Sequence, residues 1–286
     1  GSRFCEISWT GMELAIMVRK RLEVLNNYPL SSKEKKQKLP EEIFSQILEK
    51  KYKAIPTKVT VKTEGGREYT VDLFLYMLRY TFWRPRELLL SLSLILNIFY
   101  GHSKSGLPIN QETIKATIKA ASITIINSEF YNEFGTIWKE IKENILQFTG
   151  GTLLLNEKEI KTIIMSNKFH IKLSTEDTEI QAYRDKIKFL YEIGFLGIFV
   201  DINYRKKYQM VTQQGFSFSE GMSCLRGFLV DDFEGCCFMI NPVFVESLRL
   251  KINTEEYVGI QSWDDLRELE RRIQIKMKTD CFGTVD

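Results

Sequence analysis

The sequence predicts a mainly helical protein with two domains: a helical bundle over residues 1–150 and an α+β domain over residues 151–286. Three observations predict this organisation. The chain has 286 residues, and domains of roughly 150 residues are common. Apolar residues recur at helical spacing through most of the first half. After Gly150 and Gly151, short apolar segments separated by turns follow, which are typical of strands.

Two start signals define helices near the beginning of the chain. Within residues 9–27 apolar residues recur at helical spacing, and Thr10 can accept a hydrogen bond from a free N–H of the first turn. Pro40 is followed by two glutamates and begins a second helix, which reaches about Lys51. Proline fits the first turn of a helix, and acidic side chains there interact favourably with the helix dipole.

The middle of the first domain combines a hairpin with a long apolar helix. Residues 58–71 alternate around a Gly-Gly pair and predict a short hairpin, and residues 72–80 return to a helical pattern. Pro85 forces a new helix start. The apolar helix that begins there reaches about Tyr100.

Two more helices complete the first domain. Asn110 is predicted to cap a helix that reaches about Asn127, and a further helix follows over residues 129–148. This last helix stops at the Gly-Gly pair, where the character of the sequence changes. The domain boundary is therefore predicted at residues 150–151.

The second domain opens with helices and continues with a hairpin. Asn156, with Glu159 three residues later, forms a capping-box pattern for a short helix, and residues 178–193 predict a second helix. Residues 195–200 then predict a strand, followed by a basic turn and another strand over residues 208–212. Helices followed by a hairpin with a basic tip are the order of a winged-helix domain.

The rest of the chain adds strands and two helices. Strands are predicted at residues 228–230 and 236–240, Asn241 then caps a helix, and Ser262 caps a final helix that reaches about Lys278. One side of this final helix is apolar. It is therefore expected either to pack back on its own domain or to bind a partner protein.

The sequence lacks the motifs of a self-contained catalytic centre. It has two histidines, His102 and His170, which exclude a multi-histidine metal site, and both are predicted to have surface or packing roles. No GxxxxGK[ST], GxGxxG, GxSxG or HExxH motif occurs. We therefore expect no catalytic residue, no metal site and no cofactor in this chain.

Cysteine usage and charge indicate a cytoplasmic protein. The five cysteines form no CxxC pair, which favours reduced thiols. The longest apolar run is too short to span a membrane, so no membrane partner is expected. The net charge of +3 is too even to indicate a polyanion partner by itself.

The most informative motif is Arg84-Pro85-Arg86-Glu87. Because proline sets the helix start, the two guanidinium groups are held at a defined distance and angle. Arginine stays charged and presents a planar fork of donors that suits a phosphate or a carboxylate. The alternative is that both arginines pair with nearby acids, Glu87 included.

The segment Leu78–Leu88, LRYTFWRPREL, resembles a region downstream of the nucleotide-binding core in bacterial STAND/AAA+-like P-loop ATPases, which are often found in defence or signalling loci. The most specific element is Arg84-Pro85-Arg86. Asn241 stands where this family tends to have histidine, and Glu87 where aspartate is commoner. Further matching pieces follow in order along the chain, at residues 129–134, 190–197 and 238–248.

The resemblance implies that the first domain is lid-like and that the second is a winged-helix-like module. It implies a regulatory and coupling region whose partner is an upstream P-loop core, in the same protein or on another chain. That parent protein would bind ATP and Mg²⁺ through its Walker A and Walker B motifs. Neither motif occurs in the present sequence. Arg84 or Arg86 would contact the γ-phosphate, so that hydrolysis releases the lid.

The basic tip of the predicted second-domain hairpin is another candidate site. Arg205, Lys206 and Lys207 can contact a phosphate backbone, and Tyr204 can pack beside sugars. Acidic residues offset the cations of the preceding helix, which argues against strong binding in a DNA groove. The alternative functions are a stand-alone protein that binds DNA or RNA and a scaffold that docks an effector protein. Self-association is left open.

Overall fold

The computed structural model describes residues 9–26, 40–62, 68–102, 109–174, 178–199 and 237–252, together with 262–264, 266–267 and 270. Over these residues the protein is mainly helical and has three small antiparallel sheets. The coarse fold class predicted from the sequence is confirmed. None of the described helices is long and apolar enough to cross a membrane.

The N-terminal half consists of helices around a two-stranded sheet. Its first elements are α1 (Gly11–Leu25), α2 (Pro40–Lys51), β1 (Lys58–Lys62), β2 (Glu68–Asp72), α3 (Leu73–Arg79), α4 (Pro85–His102) and α5 (Gln111–Ile125). These bounds confirm the predicted helix starts and the predicted hairpin. After α5 come a π-helical turn (Ile126–Phe130), α6 (Tyr131–Phe134), α7 (Ile141–Ile145) and a 3₁₀ turn (Leu146–Phe148).

Reciprocal capping defines the start of α1. Glu13 N–H donates to Thr10 Oγ1 at 3.1 Å, and Thr10 N–H donates to Glu13 Oε2 at 2.9 Å. Two backbone donors that the helix leaves unpaired are thereby satisfied. The helix buries Leu14, Val18 and Leu22 completely and packs against α2 and α4.

The single helix predicted over residues 129–148 is wrong, because the chain leaves helical geometry after Phe134. Trp138 is fully buried, and its indole N–H donates to the carbonyl oxygen of His170 at 2.9 Å. It also forms an antiparallel bridge with Leu173. Burial of this large side chain and its hydrogen bond across the fold outweigh the local helical pattern.

The C-terminal half mixes short helices with short strands. Its elements are β3 (Leu154–Asn156), α8 (Glu157–Ile164), β4 (Ile171–Leu173), β5 (Thr178–Ile180), α9 (Tyr183–Glu192), β6 (Leu196–Phe199), β7 (Cys237–Ile240), a 3₁₀ turn (Pro242–Phe244) and α10 (Val245–Leu248). The capping box predicted at the start of α8 is confirmed, because Glu159 N–H donates to Asn156 Oδ1 at 2.9 Å.

The three-stranded sheet has the order β3–β7–β6, with both neighbouring pairs antiparallel. The central strand β7 buries Phe238 and Ile240 completely. Its partners come from well before it in the chain, so the sheet closes only when distant segments meet. The strands predicted at residues 208–212 and 228–230 lie outside the described residues.

The helix predicted over residues 178–193 begins later than expected. Residues 178–180 form β5, which pairs with β4, and α9 starts at Tyr183. Glu179 Oε1 lies 2.7 Å from His170 Nδ1, so a tertiary contact holds this segment as a strand. The helix predicted after Asn241 is likewise a 3₁₀ turn followed by the four-residue α10.

Buried apolar residues form one cluster that includes side chains from both sides of residues 150–151. The backbone adds to this link. Gly150 N–H donates to Leu248 O at 2.8 Å, and Lys251 N–H donates to Gly151 O at 2.8 Å. Gly150 has a φ of +74°, in the region that favours glycine. The segment after β7 thus returns to the start of the second half, and the division into domains 1–150 and 151–286 stays a prediction.

The described residues of the predicted final helix pack against the N-terminal half. Trp263 stacks on Phe74 of α3, with ring centroids 5.2 Å apart. Leu266 is fully buried, and Glu270 Oε1 accepts a hydrogen bond from Met12 N–H at 3.0 Å. Burial is the main cause of a raised Glu270 pKa, which the hydrogen bonds from the start of α1 partly offset. The chain itself therefore covers the described apolar residues of this helix, Trp263 and Leu266, on the predicted first domain.

Close packing at Gly11 predicts a measurable cost for a single added methyl group. A Cβ atom at position 11 would lie 2.8 Å from Leu266 Cδ1, whereas a Cβ atom at Gly101 in α4 would have no heavy atom within 4 Å. We expect Gly11→Ala to lower the free energy of unfolding by about 1–3 kcal/mol through overpacking. Gly101→Ala should be neutral or slightly stabilising. Urea denaturation tests both variants, and equal stability of the two would contradict this packing.

Candidate functional site

The loop between α3 and α4 carries Arg84, and the first turn of α4 carries Arg86; the sequence predicts both as nucleotide sensors. The loop backbone turns at Trp83, whose φ of +60° is rare for a bulky side chain. Trp83 N–H donates to Thr81 Oγ1 at 3.2 Å, and Phe82 N–H donates to Glu87 Oε2 at 2.6 Å. These side chains supply hydrogen-bond partners for the loop backbone and stabilise the turn.

Glu87 is a buried acid in the first turn of α4. Its side chain is 1% exposed, and the carboxylate lies at the end of the helix where the dipole favours negative charge. Its second oxygen, Oε1, lies 4.0 Å from Arg84 Nε. The pairing with Glu87 that the sequence offered as an alternative is therefore present as a long contact.

Both sequence-predicted arginines pair with glutamates from another part of the chain. Arg84 Nη1 lies 2.7 Å from Glu133 Oε2, and the arginine side chain is 29% exposed. Arg86 Nη2 lies 3.1 Å from Glu129 Oε1, with its side chain 81% exposed. We call these four residues the arginine site. Its guanidinium groups are accessible at the surface and are already engaged by carboxylates.

A π-helical turn positions the two glutamates of the arginine site. Glu129 lies within this turn, Ile126–Phe130, and Glu133 lies one turn later in α6. Such turns hold one extra residue per turn and occur often at functional sites. The buried side chains Ile126 and Phe130 anchor the turn on its inner face, so both glutamates are presented toward the start of α4.

Aromatic side chains connect the arginine site to the C-terminal half. The Phe82 ring stacks on Phe130 with centroids 5.5 Å apart, and Arg84 lies over the same Phe82 ring at 5.9 Å. Phe244, which follows β7, contacts both Phe82 and Phe130 at 5.8 and 4.9 Å. Phe244 in turn packs against Phe195 at 4.9 Å. These buried rings form a continuous series of contacts from the arginine site to the three-stranded sheet. A displacement at the arginine site would be transmitted through them, because buried side chains are closely packed.

The tip residues proposed to contact nucleic acid, Tyr204, Arg205, Lys206 and Lys207, lie outside the described residues. Strands β6 and β7 border that segment and are neighbours in the sheet.

Helix α9 presents few free cations. Lys186 is buried and donates to the carbonyl oxygens of Ile164 and Phe169, both at 3.0 Å. Burial lowers the pKa of Lys186, an effect that the charge of Glu179 partly offsets. Lys188 is exposed but lies 4.0 Å from Glu192. Lys186 thus joins α8 to α9. The weak groove binding expected from the sequence stays a prediction.

His170 directly precedes β4 and contacts Glu179 of β5, whereas His102 is an exposed residue at the end of α4. His170 Nδ1 lies 2.7 Å from Glu179 Oε1, and Nε2 lies 2.8 Å from Asn167 O. Both partners are acceptors, so the doubly protonated ring satisfies both contacts. The hydrogen bond with Glu179 is the main cause of a raised His170 pKa, and the pKa of Glu179 is lowered in return. The surface or packing role predicted for the two histidines stays a prediction.

The described residues contain no group of three or more histidine, cysteine or acidic side chains that could hold a metal ion. Comparison with protein-family models, with curated proteins and with solved structures gives no match for the chain. The identification of the arginine site as a candidate functional site therefore rests on its geometry and on the sequence pattern Arg84-Pro85-Arg86-Glu87.

Sequence reasoning missed the partners of the two arginines. Glu129 and Glu133 are four residues apart, a spacing that puts two side chains on one helical face. That spacing was the available signal, but it does not reveal which face of which element lies opposite. Phe244, which connects the two halves, lies in the piece at residues 238–248 that carries the resemblance, but that pattern does not show which side chains Phe244 contacts.

The His170–Glu179 pair predicts a pH-dependent contribution to stability. The folded pKa of His170 lies above its ordinary value of 6.5. The stabilisation by the protonated imidazole is therefore complete below pH 6.5 and is lost as the pH rises through the folded pKa. The stabilisation by the Glu179 carboxylate is lost at acidic pH, as the pH falls through the lowered folded pKa of Glu179. Titration of the His170 ring signal by NMR measures the folded pKa from which the loss at basic pH follows.

Glu179→Gln is the matched variant for this titration. It keeps the size of the side chain and removes its charge, so the His170 pKa should fall toward 6.5, while the signal of His102 serves as an internal control. An unchanged His170 pKa in Glu179→Gln would contradict the pairing.

Proposed function

We propose that this chain is the regulatory and coupling region of a P-loop ATPase of the STAND/AAA+-like kind, acting in bacterial defence or signalling. It senses nucleotide state through Arg84 or Arg86 and relays that state to its C-terminal half. The catalytic core, with its ATP and Mg²⁺, belongs to an upstream segment of the same protein or to another chain. The chain described here supplies contacts and movement, and no catalytic residue.

The continuity between the arginine site and the C-terminal half is the observation that carries this proposal. Arg84 lies over the ring of Phe82, and that ring contacts both Phe130 and Phe244. A γ-phosphate that draws Arg84 toward a bound nucleotide would pull on this aromatic contact. The loop with its unusual Trp83 backbone would respond as a unit, because side-chain hydrogen bonds hold it together.

The arrangement of the second half supports a winged-helix-like relay module. Helices α8 and α9 precede the neighbouring strands β6 and β7, and β3 completes the antiparallel sheet in the order β3–β7–β6. The hairpin β4–β5 is an addition between the two helices. Such a module can turn a small movement of β7 into a movement of α9, which packs against β6.

ATP hydrolysis by the native assembly tests the proposal. The purified 286-residue chain should not hydrolyse ATP, whereas the assembly isolated from its host through a tag on this chain should. In that assembly, Arg84→Ala/Arg86→Ala should lower the hydrolysis rate by at least about tenfold, because arginines that contact a γ-phosphate stabilise its transferring charge. Lys158→Ala/Lys168→Ala removes two exposed cations from α8 and the turn after it and should leave the rate unchanged.

Three outcomes would contradict the proposal. One is hydrolysis by the chain alone, and another is an assembly without ATPase activity. The third is an arginine double variant whose assembly stays intact and hydrolyses ATP at the normal rate.

A stand-alone nucleic-acid-binding protein is the second candidate, favoured by the position of residues 200–236 between the neighbouring strands β6 and β7. Arg205, Lys206 and Lys207 belong to that segment. Three phosphate contacts would give modest affinity that falls steeply between about 50 and 200 mM salt. Fluorescence anisotropy with a labelled DNA duplex measures this. Arg205→Ala/Lys206→Ala should weaken binding and reduce the salt dependence, and absence of binding at low salt would exclude this candidate.

A further inference from the structure

Each carboxylate of the arginine site occupies a donor that a phosphoryl group could use. Glu133 Oε2 contacts Arg84 Nη1 at 2.7 Å, and Glu129 Oε1 contacts Arg86 Nη2 at 3.1 Å. A carboxylate and a phosphoryl group are matched by the same planar fork of guanidinium donors. A guanidinium group that is held against a glutamate by such a contact has to turn away from it to face a phosphate on another body.

We propose that Glu129 and Glu133 regulate the arginine site by competing with the phosphoryl oxygens of a nucleoside triphosphate for Arg84 and Arg86. This inference rests on the proposed function and adds its off state. Without a triphosphate, the glutamates hold both arginines against the π-helical turn and α6. Binding of the triphosphate and rupture of the two ion pairs are then a single event.

The energetics suit a reversible competition. All four side chains of the arginine site are partly or largely exposed, and ion pairs of this kind are individually weak. A triphosphate carries several negative charges and can engage both arginines at once, so it can displace two single carboxylates. A buried pair would resist displacement far more strongly, because its members would have to find other partners.

Release of the glutamates would reach the interior through the π-helical turn. Glu129 belongs to that turn, and its neighbour Phe130 stacks on Phe82 and contacts Phe244. When Arg86 no longer holds Glu129, the turn loses a restraint on its outer face while its inner face stays packed. A change in the π-helical turn would therefore displace the ring of Phe244, the first aromatic residue after β7.

Titration of the full chain with inorganic triphosphate tests the competition without any ATPase partner. Loss of both competing carboxylates in Glu129→Gln/Glu133→Gln should raise the affinity for triphosphate by about fivefold, since each exposed pair is worth up to about that factor. Glu140→Gln/Glu143→Gln is the charge-matched control, because it removes two exposed glutamates, one just before α7 and one within it, that are not part of the arginine site. The control should change the affinity by less than about twofold, through long-range charge alone.

Two further variants identify the contact and the binding site. Glu133→Asp keeps the charge but shortens the side chain, so it should also raise the affinity if the 2.7 Å contact with Arg84 is what competes. Arg84→Ala/Arg86→Ala in the Glu129→Gln/Glu133→Gln background should abolish the gain. The side-chain Nε–Hε signals of Arg84 and Arg86, followed by NMR, should shift on titration with triphosphate. The same two signals are missing from the Arg84→Ala/Arg86→Ala variant, which assigns them.

The competition would be overturned by equal affinities of the glutamate variant and its charge-matched control. It would also be overturned by a gain that survives removal of both arginines, or by no detectable triphosphate binding in any variant. Thermal unfolding of each variant verifies that it is folded. A failure here leaves the ATPase measurements of the native assembly untouched, and those measurements can fail while the competition holds, so the two outcomes are distinguishable.

Discussion

Phe244 lies where four separate segments of the chain meet. Its ring centroid is 4.9 Å from those of Phe130 and Phe195 and 5.8 Å from that of Phe82. Such edge-to-face contacts add about 0.5–1.5 kcal/mol each to the gain from burial alone. Because Phe244 ends the 3₁₀ turn after β7, the sheet of the second half and the arginine loop of the first half share one buried contact. The position of each therefore depends on the position of the other.

The charged and polar residues fall into two groups with different physical consequences. Glu87, Lys186 and Asn241 are buried, and each binds backbone groups that would otherwise be unsatisfied: Asn241, for example, donates to Gly194 O at 3.1 Å and accepts from Val243 N–H at 3.1 Å. These contacts fix the structure, since removing one partner leaves the other buried and unpaired. Arg84 and Arg86 pair at the surface, where partners exchange at little cost. The arginine site can therefore change partners while the framework that presents it stays fixed.

Local patterns in the sequence determined the positions of most helix starts. They also indicated Arg84 and Arg86 as candidate functional residues. Thr10 with Glu13 and Asn156 with Glu159 form capping boxes with their own neighbours, so these starts need no information from the rest of the fold. Proline at position 85 acts in the same local way, because its fixed φ and missing N–H suit only the first turn. The mainly helical class followed from such signals and from apolar periodicity.

Tertiary contacts decided the remaining features. The helix expected over residues 129–148 breaks to bury Trp138, and the start of the helix expected from residue 178 is a strand because Glu179 lies against His170. The same holds for the arginine site: the sequence by itself identified both arginines, but only the fold brought their glutamate partners opposite them. The physical reason is that capping and proline act between residues a few positions apart. Burial and ion pairing act between surfaces that come together only after the chain has folded.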